Sequence, residues 1–309
     1  MVPGLPDGVP AARGERGAAR DRAPRGGAAR RGRRFHCNIG GVLRGYSLPL
    51  SPGGSASLVP APPWHYVGDF LLIEYWADPD AVAAVLPEGL EPYAEDPGRA
   101  AALFVDWQSS TTGGGELLDP IRSQYREFFI VVNATLDGEL VTSCPYIWVD
   151  KPFALVRGLI QGFPKKLGSI WMTRTFGLAG PADPGLRSGA AFAGTLAASD
   201  RRLAQGTVTL EGLSERGPTH NDPRLVNVRH FPKLEAGSHD APAVHELVGA
   251  VSRDRSISDI WEGAATLELF AAPGEEHAAL APLRMGRGFR FSFAYTVDDL
   301  ETLRELRRP

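Results

Sequence analysis

The stretch Tyr125–Asp150 reads YREFFIVVNATLDGELVTSCPYIWVD. Two runs rich in β-branched and aromatic residues, Tyr125–Leu136 and Glu139–Asp150, are parted only by Asp137-Gly138. An Asp-Gly pair tolerates the two positive φ angles of a tight turn whose twist matches that of paired strands. The stretch therefore reads as an antiparallel hairpin. Along its first arm Tyr125, Glu127, Phe129 and Val131 recur at period two and share one face. That places a carboxylate on an apolar surface, where it needs a partner. Arg122 or Arg126 on a surface strand is the plain alternative to a functional role.

Working outward, the same signals recur. Strands are expected at Phe70–Trp76, Ala100–Gln108, Leu167–Leu178, Ala191–Ala198, Ala204–Leu213, Leu225–Phe231, His245–Val251, Ala265–Phe270 and Gly288–Val297. Asp78-Pro79 opens a short helix that runs to about Leu86, with Asp as N-cap and Pro in the first turn. A second helix is expected over Phe153–Gln161, ended by Gly162. A third is expected over Asp299–Arg307, because Asp298 and Glu301 have capping-box spacing. The fold class is α+β and mostly antiparallel β. About ten strands should curl or close into a barrel or cone, since a flat sheet of that size exposes its edges.

Residues 46–309 read as one domain. Residues 1–45 read as a basic head: the first 34 carry nine arginines against Asp7, Glu15 and Asp21, with no aromatic residue and no serine. Such a stretch buries too little apolar surface to order itself. It reads as a disordered head or as sequence upstream of the true start, and is expected to be dispensable for fold and activity. The whole chain carries −3, so the remainder beyond the head is net acidic, which argues against a nucleic-acid partner. No apolar run has the length of a membrane span. Cys37 and Cys144 are the two cysteines, and one lies in the head, so a reducing, cytoplasmic setting is expected. His230, His239 and His245–Glu246 lack metal-ligand spacing, and no phosphate-cradling glycine motif is present. Neither metal nor organic cofactor is expected.

Only four of the 33 basic residues are lysines, and two of these, Lys165 and Lys166, are adjacent. Lysine can lose its proton and act as a nucleophile; arginine effectively cannot. The segment Arg157–Gly168 (RGLIQGFPKKLG) sets Lys165 after a helix end and a Phe-Pro step, amid Leu155, Leu159, Ile160 and Phe163. Burial and a like charge both lower a lysine pKa. A solvated turn with two surface lysines is the alternative.

Gln161–Gly168 (QGFPKKLG) resembles the nucleophile loop of the acetoacetate decarboxylase family. Tyr75–Leu90 (YWADPDAVAAVLPEGL), Tyr146–Asp150 and His245–Leu269 (HELVGAVSRDRSISDIWEGAATLEL) resemble it in the same order. The likeness spans about residues 46–300. It implies a curled β-barrel or cone, a symmetric homo-oligomer, Lys165 as a Schiff-base lysine and Lys166 as the neighbour that tunes its pKa. The family's decarboxylase is a standard example of a lysine activated in this way. Family decarboxylases carry an arginine before the first strand, suited to the substrate carboxylate; here Gly68 stands there, in WHYVGDFLLIEY. The residues resemble instead a branch described as aldolase-dehydratases acting on pyruvate and an aldehyde. Tyr125 and Glu127 in SQYREF, Gln161, and Tyr295 in FAYTVDD match that branch. By this resemblance Tyr125 and Glu127 transfer protons, while Gln161 and Tyr295 orient the substrate. Tyr295 also continues Phe289, Phe291 and Phe293 at period two, and Gln161 can simply cap a helix. The expected function is aldol condensation of pyruvate with an aldehyde followed by dehydration. Decarboxylation of acetoacetate, or a barrel that binds a small ligand without chemistry, are the alternatives.

Overall fold

Strand β1, Trp64–Trp76, is buried on both faces over Leu71–Tyr75. A strand flanked on both sides reads as a continuous apolar run rather than an alternating one, which accounts for FLLIEYW. The structure, a computed structural model, describes residues 41–218, 223–239 and 241–306. The expectation for the basic head lies, but for residues 41–45, outside them.

The other strands are β2 (Glu91–Pro92), β3 (Arg99–Thr111), β4 (Gln124–Leu136), β5 (Glu139–Val149), β6 (Lys165–Leu167) and β7 (Ser169–Met172). They continue with β8 (Ala191–Ala198), β9 (Arg201–Leu213), β10 (Arg224–Phe231), β11 (Val244–Ile257), β12 (Trp261–Leu269) and β13 (Arg284–Glu305). The two α-helices among the described residues are α1 (Pro79–Ala84) and α2 (Pro152–Ile160). No helix there is long and apolar enough to cross a membrane.

Strands β1, β3, β4, β5, β10, β11 and β13 pair in that order, and β13 pairs back onto β1, so they form a ring. From β13 the sheet continues through β12, β9 and β8 to β7. The alternation of the ring strands divides the core. Trp64, Tyr66, Phe70, Leu103, Val105, Trp107, Tyr125, Ile147 and Phe291 belong to one apolar cluster. Leu71, Ile73, Tyr75, Phe104, Phe128, Ile130 and Trp148 belong to a second, shared with Phe192, Leu196 and Val208 of β8 and β9.

The hairpin forms as expected: Leu136 pairs with Glu139 across Asp137 (φ 53°) and Gly138 (φ 86°). Asp78 caps α1 by accepting from the Asp80 N–H at 2.9 Å. The expected C-terminal helix does not form. Asp299–Glu305 extends β13 and pairs with β11 from Val251 to Glu246. A capping box contributes on the order of 1 kcal/mol, and a ladder that satisfies the whole backbone outweighs it. The strand expected over Leu167–Leu178 is instead two short ones, β6 and β7, with irregular chain beyond Met172.

Candidate active site

The lysine loop is built by the end of α2. Gly162 adopts φ 84°, which favours glycine, and the Phe163 N–H returns to the Gly158 carbonyl at 2.9 Å. After Pro164 the chain enters β6, which lies parallel to β5 with Lys165 beside Ile147 and Lys166 beside Trp148. Ile147 and Trp148 belong to different apolar clusters, so strand alternation sends the two lysines to opposite faces. Lys166 pairs with Glu275 and sits 5.0 Å over the Trp148 ring. Lys166, which the family resemblance implied as the charged neighbour of Lys165, thus lies on the opposite face.

Lys165 turns inward and is only 7% exposed. Its stem lies across the Gly158 backbone: a Cβ there would come within 2.5 Å of Lys165 Cε. Lys165 Nζ donates to Glu127 Oε2 at 2.6 Å and stands 5.5 Å from the rings of Tyr125 and Phe163. Burial pushes the Lys165 pKa below its ordinary value; Glu127 opposes this, and the Arg157 charge adds to it. Leu159, expected among the apolar surroundings, is exposed instead.

Arg157 is itself buried. Its guanidinium donates to Ser109 Oγ at 3.2 Å and lies over Tyr66, Phe153 and Tyr125 at 4.7, 5.4 and 5.5 Å. It has no carboxylate partner among the described residues, which makes it a fixed positive charge in an aromatic setting. Gln161 is buried one helical turn on and donates to the Arg157 carbonyl at 3.3 Å. It meets the helix end and also lines the cavity described below. Tyr295 stacks on Tyr66 with ring centroids 4.9 Å apart. Burial raises the hydroxyl pKa of Tyr66, Tyr125 and Tyr295, so all three hold their protons at neutral pH.

Gly68 faces the same side as Tyr66 and Phe70. A Cβ on it would lie 2.5 Å from Trp107 Cε3. The indole occupies the space an arginine side chain would need, and its Nε1 donates to Glu127 Oε1 at 3.1 Å. Glu127 is thereby held from both sides, by Trp107 and by Lys165.

Glu127, Gln161, Tyr295 and Trp107 line a cavity of about 180 Å³ with Phe70, Phe129, Phe163 and Phe293. Lys165 Nζ stands one hydrogen bond behind this wall. An amine with depressed proton affinity beside a carboxylate that can accept its proton is the arrangement that attack on a carbonyl requires. Of the expected residues, Lys165, Tyr125, Glu127, Gln161 and Tyr295 come together, and Lys166 does not. The loop at Gly113–Gly115 contributes nothing to the cavity lining. Arg157, Ser109, Trp107, Gly158 and Tyr66 complete the site. The spacing Arg157–Gln161 was a signal for the first of these, because residues four apart share a helix face; Trp107 and Ser109 had none.

The Acetoacetate decarboxylase (ADC) family model matches residues 47–306. A comparison with curated protein sequences gives no match. Among solved structures the chain is similar to the enduracididine biosynthesis enzyme MppR, at 37% identity. In its complex with the condensation product of pyruvate and imidazole 4-carboxaldehyde the TM-score is 0.81, covering 87% of this chain and 100% of that one. The MppR complex with pyruvate gives a TM-score of 0.79, over 85% and 99%. An acetoacetate decarboxylase-like enzyme from Sphingomonas wittichii RW1 is 28% identical, with a TM-score of 0.78 over 85% and 100%. The acetoacetate decarboxylase of Legionella pneumophila, at 18% identity and TM-score 0.65 over 80% and 89%, shares the fold. With a family match that runs from ahead of β1 to the end of β13, and enzymes at 37% and 28% identity, this chain belongs to the acetoacetate decarboxylase family and is an enzyme of lyase type.

Proposed function

We propose that the enzyme condenses pyruvate with an aldehyde and dehydrates the adduct through a Schiff base on Lys165. The observation that carries this is the buried Lys165–Glu127 pair beside an Arg157 charge that has no carboxylate partner. Glu127 takes the ammonium proton, the amine attacks C2 of pyruvate, and Glu127 returns that proton to the departing hydroxyl, so that water leaves and an iminium remains. The Arg157 charge favours the pyruvate carboxylate at Gln161. Removal of a C3 proton, by Glu127, gives an enamine that adds to the aldehyde carbon. Tyr125, held protonated by burial, protonates the new alkoxide and regains its proton from Glu127; Glu127 then removes the second C3 proton, and the hydroxyl leaves as water with that proton returned through Tyr125. One water then hydrolyses the iminium and frees Lys165. Pyruvate and R–CHO thus yield R–CH=CH–CO–COO⁻ and one water.

The likeness to MppR, solved with pyruvate and with a pyruvate–aldehyde product, supports this reading over decarboxylation. So does the indole that fills the space at Gly68. Parallel assays test it: conjugated-enone absorbance from pyruvate plus assorted aldehydes, against CO2 release from acetoacetate. Enone formation without rapid CO2 release is expected. Rapid CO2 release with no enone overturns the reading.

The electrostatics of Lys165 add a pH prediction. Because its pKa is depressed, kcat/KM should rise with pH through an apparent pKa below the ~10.4 of free lysine. Arg157→Gln removes a positive neighbour, makes protonation of Lys165 easier and moves this limb to higher pH. It also raises the KM for pyruvate, by about ten-fold or more for a lost charged contact of 1.5–3 kcal/mol. An unmoved limb shows that Arg157 does not act on Lys165.

A further inference from the structure

At its solvent end the cavity is lined by Arg224, Ser252 and Arg255. Two arginines line this rim, and one is neutralised. Arg224 pairs with Glu301 at 2.6 Å, while Arg253, which is not part of the lining, pairs with Asp298 at 2.6 Å and with Asp254. Arg255 donates to Ser252 Oγ at 3.2 Å. Among the described residues it meets no carboxylate, so most of its five N–H donors lack a protein acceptor.

The backbone brings Arg255 to the cavity by an irregularity. Ala250 and Ser252 line the cavity at period two along β11, a phase that would turn Asp254 inward and Arg255 outward. The ladder with β13 breaks between Arg253 and Ser256, and Asp254 takes φ 55°. A bulge of this kind reverses the phase of a strand and re-aims a side chain. Here it brings a guanidinium to the mouth in place of a carboxylate. The Arg255 charge reaches as far as Tyr295, opposing the effect of burial on that hydroxyl. The cavity wall also carries Phe129, Val131, Leu225 and Ala250 with Thr142, and is mostly apolar.

A pyruvate enamine on Lys165 occupies the buried end, so the second substrate spans the apolar wall and ends at the rim. We infer that this aldehyde carries a carboxylate at the end remote from its carbonyl, bound by Arg255, with a short apolar spacer between them. The inference rests on the proposed chemistry of Lys165 and names its second substrate class.

The experiment compares succinic semialdehyde with butanal, its uncharged four-carbon counterpart, and with imidazole 4-carboxaldehyde. Each is supplied with pyruvate to the wild-type enzyme and to Arg255→Gln, and enone formation is followed. For the wild type, kcat/KM should be at least ten-fold higher for succinic semialdehyde than for butanal, with the difference mostly in KM. In Arg255→Gln the ratio should fall to within about two-fold of unity. Because Arg255 is exposed, the variant should fold, and its thermal unfolding confirms that. Equal kcat/KM for the two aldehydes, or a preference that survives Arg255→Gln, overturns the inference. If no aldehyde yields an enone, the proposed reaction fails by itself. The anion site is then read by calorimetric titration with 2-oxoglutarate against 2-oxopentanoate. At least ten-fold tighter binding of the diacid, lost in Arg255→Gln, sustains the site, and equal affinities overturn it.

Discussion

Lys165→Arg should lose at least about 10⁴ in kcat/KM, the scale on which removal of a covalent nucleophile acts, with little change in overall structure. Arginine keeps the positive charge that Glu127 faces across 2.6 Å, so the buried carboxylate retains a partner. What it removes is the amine that can shed its proton. The check has two arms. Turnover is measured with pyruvate and aldehyde and with acetoacetate, since any Schiff-base route requires the same nitrogen. Pyruvate with borohydride should add a stable mass to the wild type, mapped to the peptide containing Lys165, and add none to the variant. Adduct formation on Lys166 instead, or turnover in Lys165→Arg above about 1% of wild type, would move the chemistry elsewhere.

A second large effect is expected at a residue that touches no reacting atom. Gly158 lies buried in α2, and a methyl group there would come within 2.5 Å of Lys165 Cε and 2.7 Å of Cγ. For the helix alone, Gly158→Ala is favourable by about 1 kcal/mol. The group that must give way is a flexible side chain, not backbone, so the fold bears little of the clash. Lys165 bears it. A displacement of about 1 Å at a reacting group costs on the order of 10²-fold. Gly158→Ala should therefore lower kcat about 100-fold while the thermal midpoint stays level or rises. A fall in stability with full activity per folded molecule would show that the lysine does not depend on this bare patch of helix.

These two predictions separate what local sequence could report from what it could not. The hairpin across Asp137-Gly138, the cap at Asp78 and the helix end at Gly162 were legible because each is a backbone preference confined to a few residues. The shared face of Tyr125 and Glu127 was legible because period two is a property of the strand itself. That a lysine loop follows α2 was legible in the same way. Residue types and local geometry limit what such a loop can do, and the resemblance of QGFPKKLG to a known family gave it a role.

Tertiary structure decided the rest. Asp298 and Glu301 mark a helix start, yet the segment continues β13, because pairing with β11 satisfies more backbone than one cap can. The adjacent Lys165 and Lys166 look equivalent in the sequence, and the register of β6 against β5 parts them, one into the site and one onto Trp148. Gly68 reads only as a missing arginine until Trp107 of β3 is seen in its place, donating to Glu127. Arg157 is buried beside the site because α2 packs its buried face toward Tyr66 and Tyr125. Arg255 reaches the cavity only through the break in the β11–β13 ladder. Propensity and period act over a few residues and carry about 1 kcal/mol each. Ring closure, register and burial join residues more than a hundred positions apart, and their energy exists only once those strands have met.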